Sequence, residues 1–280
     1  SRFVIDFNRM DIIEASTHRL AWKRIKNTVL PVREQKAHEE VEINARVLAQ
    51  DPRAPVNLTY QQSLEIWWKH TARRELMMRE LEKLSRYVVC SRVTKRPIFE
   101  FARLPIHPSD LVQVFAFDDD YTFGILQSAL HWAWFTEKGS TLTERYRYTP
   151  HSVFDTFTFP QSPPHAQVKA VADAARALHE WRRERMAKSE GLTLRRMYQS
   201  LEQPGKNPLK ELHEALNRAV YAAYDFNLHG NPLAQLLALN RAVHERIQAG
   251  EPVTPPGIPA DYPNPAELVT EGCIQPPELI

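Results

Sequence analysis

The chain has 280 residues, 43% hydrophobic and 25% charged, which is ordinary for a globular protein that can bury a sizeable core. A net charge of +2 excludes a strongly basic or acidic protein, so its basic residues matter for binding only where they cluster. The two cysteines, Cys90 and Cys273, exclude a disulfide framework and a cysteine zinc site. No apolar run reaches the roughly 18 residues that would predict a membrane span.

The first part of the chain is predicted to be helical after a short strand. Residues 3–7 alternate as in a strand, and a start without Met or a signal peptide favours a piece of a larger protein. Asp11 is the expected N-cap of a helix that ends near residues 29–31. A charged helix is expected from Arg33 to Gln50.

A third helical region is predicted from Thr59 to Leu84, after a break at residues 51–55. It contains the adjacent Trp67 and Trp68. Because neighbouring residues of a helix do not share one face, one tryptophan is expected in the core and the other at an interface.

β-strands are predicted after this region. Tyr87 to Cys90 and Ile98 to Phe101 are short apolar runs, and the residues between them include several basic side chains. This pattern predicts a β-hairpin with a basic tip. Residues 112–117 are expected to extend the same sheet.

The stretch from Phe115 to Pro160 is predicted to organise the rest of the chain. Its strand leads to three aspartates at residues 118–120, and an apolar helix from about 123 to 135 ends before Gly139. Consecutive acidic side chains diverge, so a turn accounts for the aspartates better than a metal site does. His131 lies on the apolar helix and is expected to be a core residue.

The fold class predicted is α+β, with a mixed or antiparallel sheet, flanking helices, and an all-helical segment after them. We expect an α+β domain over residues 1–160, a helical domain over 165–250, and a proline-rich tail over 251–280 that is either extended or disordered. A Pro-rich linker at residues 161–164 separates the first two parts.

Basic residues concentrate around the predicted hairpin, where residues 61–110 contain ten Lys or Arg against six Asp or Glu. A two-stranded ribbon fits the major groove of DNA, and Arg or Lys can bind guanine edges or neutralise phosphates. The alternative is a solvated hairpin end without a ligand. The residues concerned are the tip residues Arg92, Lys95 and Arg96, backed by Arg73, Arg74, Arg79 and Arg86.

A second candidate contact segment runs from Ser140 to Tyr148. It combines hydroxyl groups with Arg145, Arg147, Tyr146 and Tyr148, a mixture typical of phosphate and sugar contacts. The alternative is that the two tyrosines are core residues and the arginines form salt bridges. Composition does not decide between these interpretations.

Motifs of known catalytic sites are missing. The chain has no dinucleotide-binding or phosphate-binding glycine loop, no G-x-S-x-G, and no Asn/Asp-Pro-Pro-Tyr/Phe methylase signature. We therefore expect no catalytic residue, no metal site and no bound cofactor in this chain.

Several motifs, in the same order, resemble one known family. The resemblance covers residues 2–160 well and the helical remainder loosely, and it differs by a long charged insertion over residues 33–60. The family is that of large adenine-N6 DNA methyltransferases of the single-polypeptide restriction-modification and phage-defence type, in the part C-terminal to the catalytic domain. The matching motifs are Val4–Phe7 with Glu14–Ser16, Ser85–Lys95, Phe117–Leu126, and Thr143–Pro150 with Thr156–Pro160.

The resemblance implies a target recognition domain followed by a helical segment that helps to clamp DNA. An upstream catalytic domain of the same polypeptide would bind S-adenosylmethionine and methylate a flipped adenine. By position, the hairpin-tip residues would lie near double-stranded DNA, and Arg145, Arg147 and Tyr148 would lie at or beside its backbone. The implied location is cytoplasmic.

The function predicted is therefore sequence-specific recognition of double-stranded DNA for a catalytic domain that this chain lacks. The competing class is a protein-interaction module in which the helical half and the tail dock onto another subunit. An enzyme with an unfamiliar site is a third class.

Overall fold

The computed structural model describes residues 3–142 and 145–275, which divide into two compact units, Ser1–Leu76 and Met77–Ile280. This division differs from the predicted domains 1–160, 165–250 and 251–280, which remain a prediction about functional parts. The strands are β1 Tyr87–Ser91, β2 Val93–Thr94, β3 Glu100–Ala102, β4 Val112–Phe115, β5 Ser140–Leu142 and β6 Arg145–Arg147. The helices are α1 Ile12–Thr17, α2 Arg19–Thr28, α3 Leu30–Gln50, α4 Thr59–Glu65, α5 Glu75–Leu81, α6 Asp120–Gln127, α7 Ala129–Lys138, α8 Pro150–Val153, α9 His165–Lys188, α10 Leu194–Gln199, α11 Pro208–Ala223 and α12 Pro232–Gln248.

The first unit is helical, and its predicted strand is absent, because residues 3–7 form no strand in the structure. The predicted N-cap is confirmed: the Asp11 side chain accepts a hydrogen bond of 2.8 Å from the backbone N–H of Glu14. The helix that follows is shorter than predicted, since it breaks at His18 before α2 begins.

Trp67 and Trp68 both pack against the small core of the first unit, which consists of Phe7, Ala15 and Ile25. The ring of Trp67 lies 4.8 Å from that of Trp22, and Trp68 Nε1 donates to the carbonyl of Met10 at 3.0 Å. Both rings reach one core because α4 ends at Glu65, so the helical spacing on which the prediction rested does not apply to them. An interface role for one of the two tryptophans stays a prediction.

The second unit begins with the predicted sheet, which has the order β3-β1-β4 and is called the first sheet below. The predicted hairpin pairing is confirmed, with Val88 opposite Phe101 in antiparallel register. On its other side β1 pairs with β4, which places Val88 opposite Phe115. All three of these side chains are buried, so the sheet forms part of the main core.

The aspartates form a turn, as predicted, and this turn also caps the buried helix. The Asp119 side chain accepts a 2.6 Å hydrogen bond from the Thr122 backbone and starts α6. The single predicted helix is in fact two, because α6 ends at Ser128, whose hydroxyl then caps α7. Gly124 allows α6 to approach α9 closely, since a Cβ there would lie 2.9 Å from Val171 Cγ1.

The strands and the later helices share one core. Buried residues of the first sheet, α6 and α7 pack with Val168, Val171 and Leu178 of α9 and with Leu216 and Val220 of α11. The buried apolar positions of α9 and α11 therefore face the sheet region.

The tail, described to residue 275, is extended, which was one of the two predicted alternatives. Hydrogen bonds connect it to the rest of the second unit. Ile274 forms a parallel bridge with Ala102, and Val269 forms an antiparallel bridge with Asp119. Farther upstream, Thr254 exchanges hydrogen bonds with the Gln161 side chain. Tail residues thus complete the edge of the first sheet and cover the linker.

Candidate nucleic-acid interface

The hairpin tip and the Ser140–Tyr148 segment, which the sequence presented as separate candidates, lie together in a second sheet. This second sheet has the order β2-β6-β5 and is antiparallel throughout. In its register, Arg147 on the central strand lies opposite Val93 on one side and Ser140 on the other. The tip therefore contains a strand of this sheet, β2, with Arg92 directly before it and Lys95 directly after it.

Arg92 is the residue at which the chain passes from the first sheet to the second. Its backbone N–H donates to Leu111 O at 2.9 Å beside β4, and its carbonyl accepts from Tyr148 N at 2.7 Å beside β6. Because both backbone groups are bonded, the position of its half-buried side chain is set by the two sheets together.

The alternating Arg–Tyr–Arg–Tyr of residues 145–148 follows the two-residue period of a strand. Arg145 and Arg147 are exposed, whereas the Tyr146 ring packs 5.6 Å from that of Phe135 on the inner side. Two exposed guanidinium groups therefore stand on the outer face, next to the exposed Ser140. Among the described residues, no acidic side chain pairs with Arg92, Arg145 or Arg147.

Tyr148 is a correction to the predicted contact set. It is 1% exposed, its ring stacks 5.5 Å from that of Phe135, and its hydroxyl lies 2.9 Å from His131 Nε2. The strand period turns it inward, where it anchors the second sheet to the core. His131 is itself a core residue, as predicted, and burial lowers its pKa to about 3.

Lys95 and Arg96 follow β2 in a tight turn, in which the Thr94 hydroxyl donates to Arg96 O at 2.6 Å. Lys95 is exposed. The Arg96 guanidinium lies 4.5 Å from the ring centroid of Trp132 and 5.4 Å from that of Tyr198, and burial lowers its pKa. Sequence reasoning missed Trp132 and Tyr198, which come from α7 and α10 and have no motif of their own.

Two further predicted cations belong to the other compact unit. Arg73 is exposed and pairs with Glu75 at 2.9 Å, and Arg74 is exposed with a φ of 49°. The structure does not join them to the second sheet, so their role in a contact surface remains a prediction.

Arg86 does not belong to a contact surface at all, although its charge suggested one. It is 1% exposed, and its guanidinium donates to Asp120 Oδ1 at 2.7 Å and to Asp118 O at 2.8 Å. It also donates to Thr270 Oγ1 and to the Gly272 carbonyl of the tail, each at 2.8 Å. Arg86 is a structural residue that ties the aspartate turn to the tail.

Comparison with known proteins assigns this region. The family model of the MmeI target recognition domain matches residues 89–161, a range that contains both sheets almost entirely. Residues 89–161 are therefore similar in sequence to a target recognition domain. A search of the curated proteins finds no match.

A solved structure of the Type IIL restriction-modification enzyme MmeI in complex with DNA resembles the fold of this chain. The TM-score is 0.62 over 87% of this chain, at 21% sequence identity. The chain spans about 28% of the length of that MmeI chain. At this identity the likeness concerns the fold, and it extends beyond the target recognition domain into the helices on either side.

Six of the nine predicted site residues are exposed or half-buried and lie within the matched residues 89–161: Arg92, Lys95, Arg96, Ser140, Arg145 and Arg147. Among the described residues, no group of three His, Cys, Asp or Glu side chains could hold a metal ion. None of the described helices is long and apolar enough to cross a membrane.

Proposed function

We propose that this chain recognises specific sequences of double-stranded DNA as part of a restriction-modification enzyme. The observation that carries the proposal is the second sheet, which lies within the matched target recognition region. Three exposed or half-buried arginines without acidic partners, Arg92, Arg145 and Arg147, lie in or beside this sheet. Such a surface suits a polyanion, since each guanidinium can bind a phosphate or the two acceptors of a guanine edge.

The sheet offers two kinds of contact. Arg145 and Arg147 are two residues apart on one strand face, a separation of about 7 Å, which is close to the spacing of successive phosphates along a strand. The hydroxyl of Ser140, opposite Arg147, can add a neutral contact to a phosphate or sugar. Arg92 and Arg96 lie on either side of β2, an edge strand of the second sheet, and we assign them to base contacts in a groove.

The rest of the proposed activity lies outside this chain. An upstream methyltransferase domain of the same polypeptide would bind S-adenosylmethionine and methylate adenine N6 after flipping the base, in a cytoplasmic enzyme of restriction-modification or phage defence. No residue of this chain is assigned to the cofactor. The role of the chain is to place the target base by fixing the register of the DNA.

The competing proposal is a protein-interaction module, and one observation favours it for the first unit. Ile13 and Leu20, on α1 and α2, are 75% and 88% exposed, and a protein partner could bury these apolar side chains. This surface concerns a different part of the chain from the second sheet, so the two proposals can be tested separately.

The first experiment is a titration of the chain with labelled duplex DNA, followed by fluorescence anisotropy over a series of salt concentrations. DNA recognition predicts that the logarithm of the affinity falls linearly with the logarithm of the salt concentration, by about 0.9 for each phosphate neutralised. A shallow or absent salt dependence would count for the interaction module. Competition with unlabelled duplexes of randomised sequence then measures the specificity.

A further inference from the structure

Arg96 differs from the other cations of the second sheet because two aromatic rings hold it. Its guanidinium lies over Trp132 of α7 and near Tyr198 of α10, at 4.5 Å and 5.4 Å from the ring centroids. No carboxylate of the described residues pairs with it, and it is half-buried. It is therefore a partly desolvated cation whose electrostatic partners within the protein are ring faces.

Stacking on rings leaves the hydrogen-bonding edge of arginine available. Aromatic rings attract the flat face of a guanidinium, while its five N–H donors lie in the plane and point outward. A guanidinium that packs over rings has thus lost part of its rotamer freedom before a ligand arrives. Two adjacent acceptor atoms are the ligand that best fits such an edge.

The ring of Tyr198 is itself held in place by contacts at its hydroxyl group. Its hydroxyl accepts from the Arg182 guanidinium at 3.0 Å and lies 2.9 Å from His213 Nε2, and all three residues are buried. Arg182 and His213 belong to α9 and α11. The orientation of Arg96 is therefore linked by direct contacts to the helices of the later part of the chain.

Residues of α9 and α6 fix the backbone that follows Arg96. Arg182 donates to the Phe99 carbonyl at 2.9 Å, and Gln127 Oε1 accepts from the Phe99 N–H at 3.0 Å. Pro97 restricts the conformation of Arg96 from the next position. Both the main chain and the side chain of this short segment are thus held by residues outside the sheet.

We propose that Trp132 and Tyr198 are positioning residues that orient the Arg96 guanidinium for two adjacent acceptor atoms of DNA, so that the helical part of the chain takes part in sequence recognition. This inference rests on the proposed DNA recognition. The acceptors are either O6 and N7 of a guanine or the oxygens of one phosphate. The binding experiment separates these two sources.

A double-mutant cycle on Trp132 and Arg96 tests the inference, because the cycle isolates the coupling of the two side chains. The probe is a labelled duplex selected from a pool with a randomised central segment, compared with the unselected pool. Arg96→Ala should reduce the preference for the selected duplex by roughly 5- to 150-fold if the contact is to a base edge. Contact to a phosphate should instead lower both affinities evenly and reduce the salt slope by about one unit.

Trp132→Ala should reproduce part of whichever loss Arg96→Ala causes, by roughly 2- to 30-fold. In the Arg96→Ala background, Trp132→Ala should have no further effect on binding. Trp132→Phe should restore much of the loss because it retains a ring. Since Trp132 is 37% exposed, its removal should leave the protein folded, and thermal unfolding verifies this.

The matched control is Trp181→Ala on α9, where Arg185 lies 5.5 Å from the ring centroid in a cation–π pair formed within that helix. This variant should keep the preference for the selected duplex. Independent, multiplying losses from Trp132→Ala and Arg96→Ala would overturn the inference while leaving DNA recognition intact. A complete lack of duplex binding by the unaltered chain would overturn both the inference and the proposed function.

Discussion

The two three-stranded sheets of the second unit differ in how their faces are used. In the first sheet, all residues of β3 and three of the five residues of β1 are buried, between the aspartate turn, α9 and the tail. In the second sheet, the central strand alternates between exposed arginine and inward tyrosine. Both sheets are antiparallel, and Arg92 connects them without a loop.

This difference separates the residues that hold the domain together from those that can meet a ligand. Arginine occurs in both settings. Beside the first sheet, the buried Arg86 guanidinium donates hydrogen bonds to a carboxylate, two carbonyls and a hydroxyl of the protein. It is therefore not available to bind DNA. In the second sheet, Arg145 and Arg147 keep their donors exposed. The number of arginines therefore does not define the contact surface. What defines it is whether each guanidinium already has hydrogen-bonding partners within the protein.

The largest effect is expected from breaking the buried pair beside the first sheet. Arg86→Met leaves the Asp120 carboxylate, which is 0% exposed, with Arg176 Nε at 3.3 Å as its remaining cation. Removing one partner of a buried ion pair costs about 3–5 kcal/mol of unfolding free energy, and the remaining arginine favours the lower end of that range. Urea unfolding followed by circular dichroism measures the loss.

Arg147→Ala is the matched control for this prediction, because an exposed residue without an ion pair should change the unfolding free energy by less than about 0.5 kcal/mol. Equal losses in the two variants would contradict the division of roles between the sheets.

A smaller effect is expected at His131, whose ring lies between the sheets. The ring is 5.4 Å from Phe99 of the first-sheet region and bonded to Tyr148 of the second. Burial lowers its pKa to about 3, so the unfolded chain, with a histidine pKa of about 6.5, binds the proton first as the pH falls. The stability that neutral His131 provides is therefore complete above about pH 6.5 and falls by about 1.4 kcal/mol per pH unit below it, down to about pH 3.

Unfolding free energies of the unaltered protein and of His131→Gln between pH 7 and pH 5 test this dependence. The variant should show the shallower slope, since other titrating groups are common to both proteins. His213→Gln should act in the same direction, because burial together with Arg96 and Arg182 lowers the pKa of His213 to about 3. Identical slopes for His131→Gln and the unaltered protein would show that His131 does not titrate in this way.

The framework around the first sheet was largely predictable from sequence, and the reasons are local. The apolar runs at β1 and β4 and the apolar spacing of α9 and α11 each report burial within one element. The hairpin between β1 and β3 has a short connection, which limits the possible pairings. Asp119 was recognisable as turn chemistry because an N-cap needs only the residues that follow it.

The second sheet was not predictable as a sheet. Its strands have two or three residues each, too few for a period to emerge, and β2 pairs with β6 across about 50 residues of chain. The basic and aromatic residues were recognisable in the sequence. The pairing of their strands, however, depends on how α6 and α7, which lie between them in the chain, pack. The inward orientation of Tyr148 could be predicted only with knowledge of the strand register, because an aromatic residue next to an arginine is compatible with either face of a strand.

Arg86, Trp132 and Tyr198 illustrate a different limit. Their roles depend on partners far away in sequence: Arg86 meets Asp120 and the tail, and the two rings meet Arg96 from separate helices. A single sequence shows that a residue is charged or aromatic, but it does not show which distant residue that side chain contacts. Only tertiary packing distinguishes a buried arginine from a ligand-binding one.

The effect expected to be smallest on stability is the most direct test of the second sheet. Arg147→Ala removes a guanidinium that stands between Val93 and Ser140 on the outer face. If it binds a phosphate, the variant should lose affinity evenly for all duplexes, and the salt slope should decrease by about one unit. Anisotropy titrations at several salt concentrations, with selected and randomised duplexes, give both quantities.

The matched control is Arg103→Ala, which removes the same charge from an exposed position directly after β3 of the first sheet. Because non-specific electrostatic attraction depends on total charge, both variants lose it equally, and only a direct contact lowers the slope further for Arg147→Ala. A loss confined to the selected duplex would instead make Arg147 a base-reading residue. Equal slopes for the two variants would exclude the outer face of the second sheet as the site of phosphate contact.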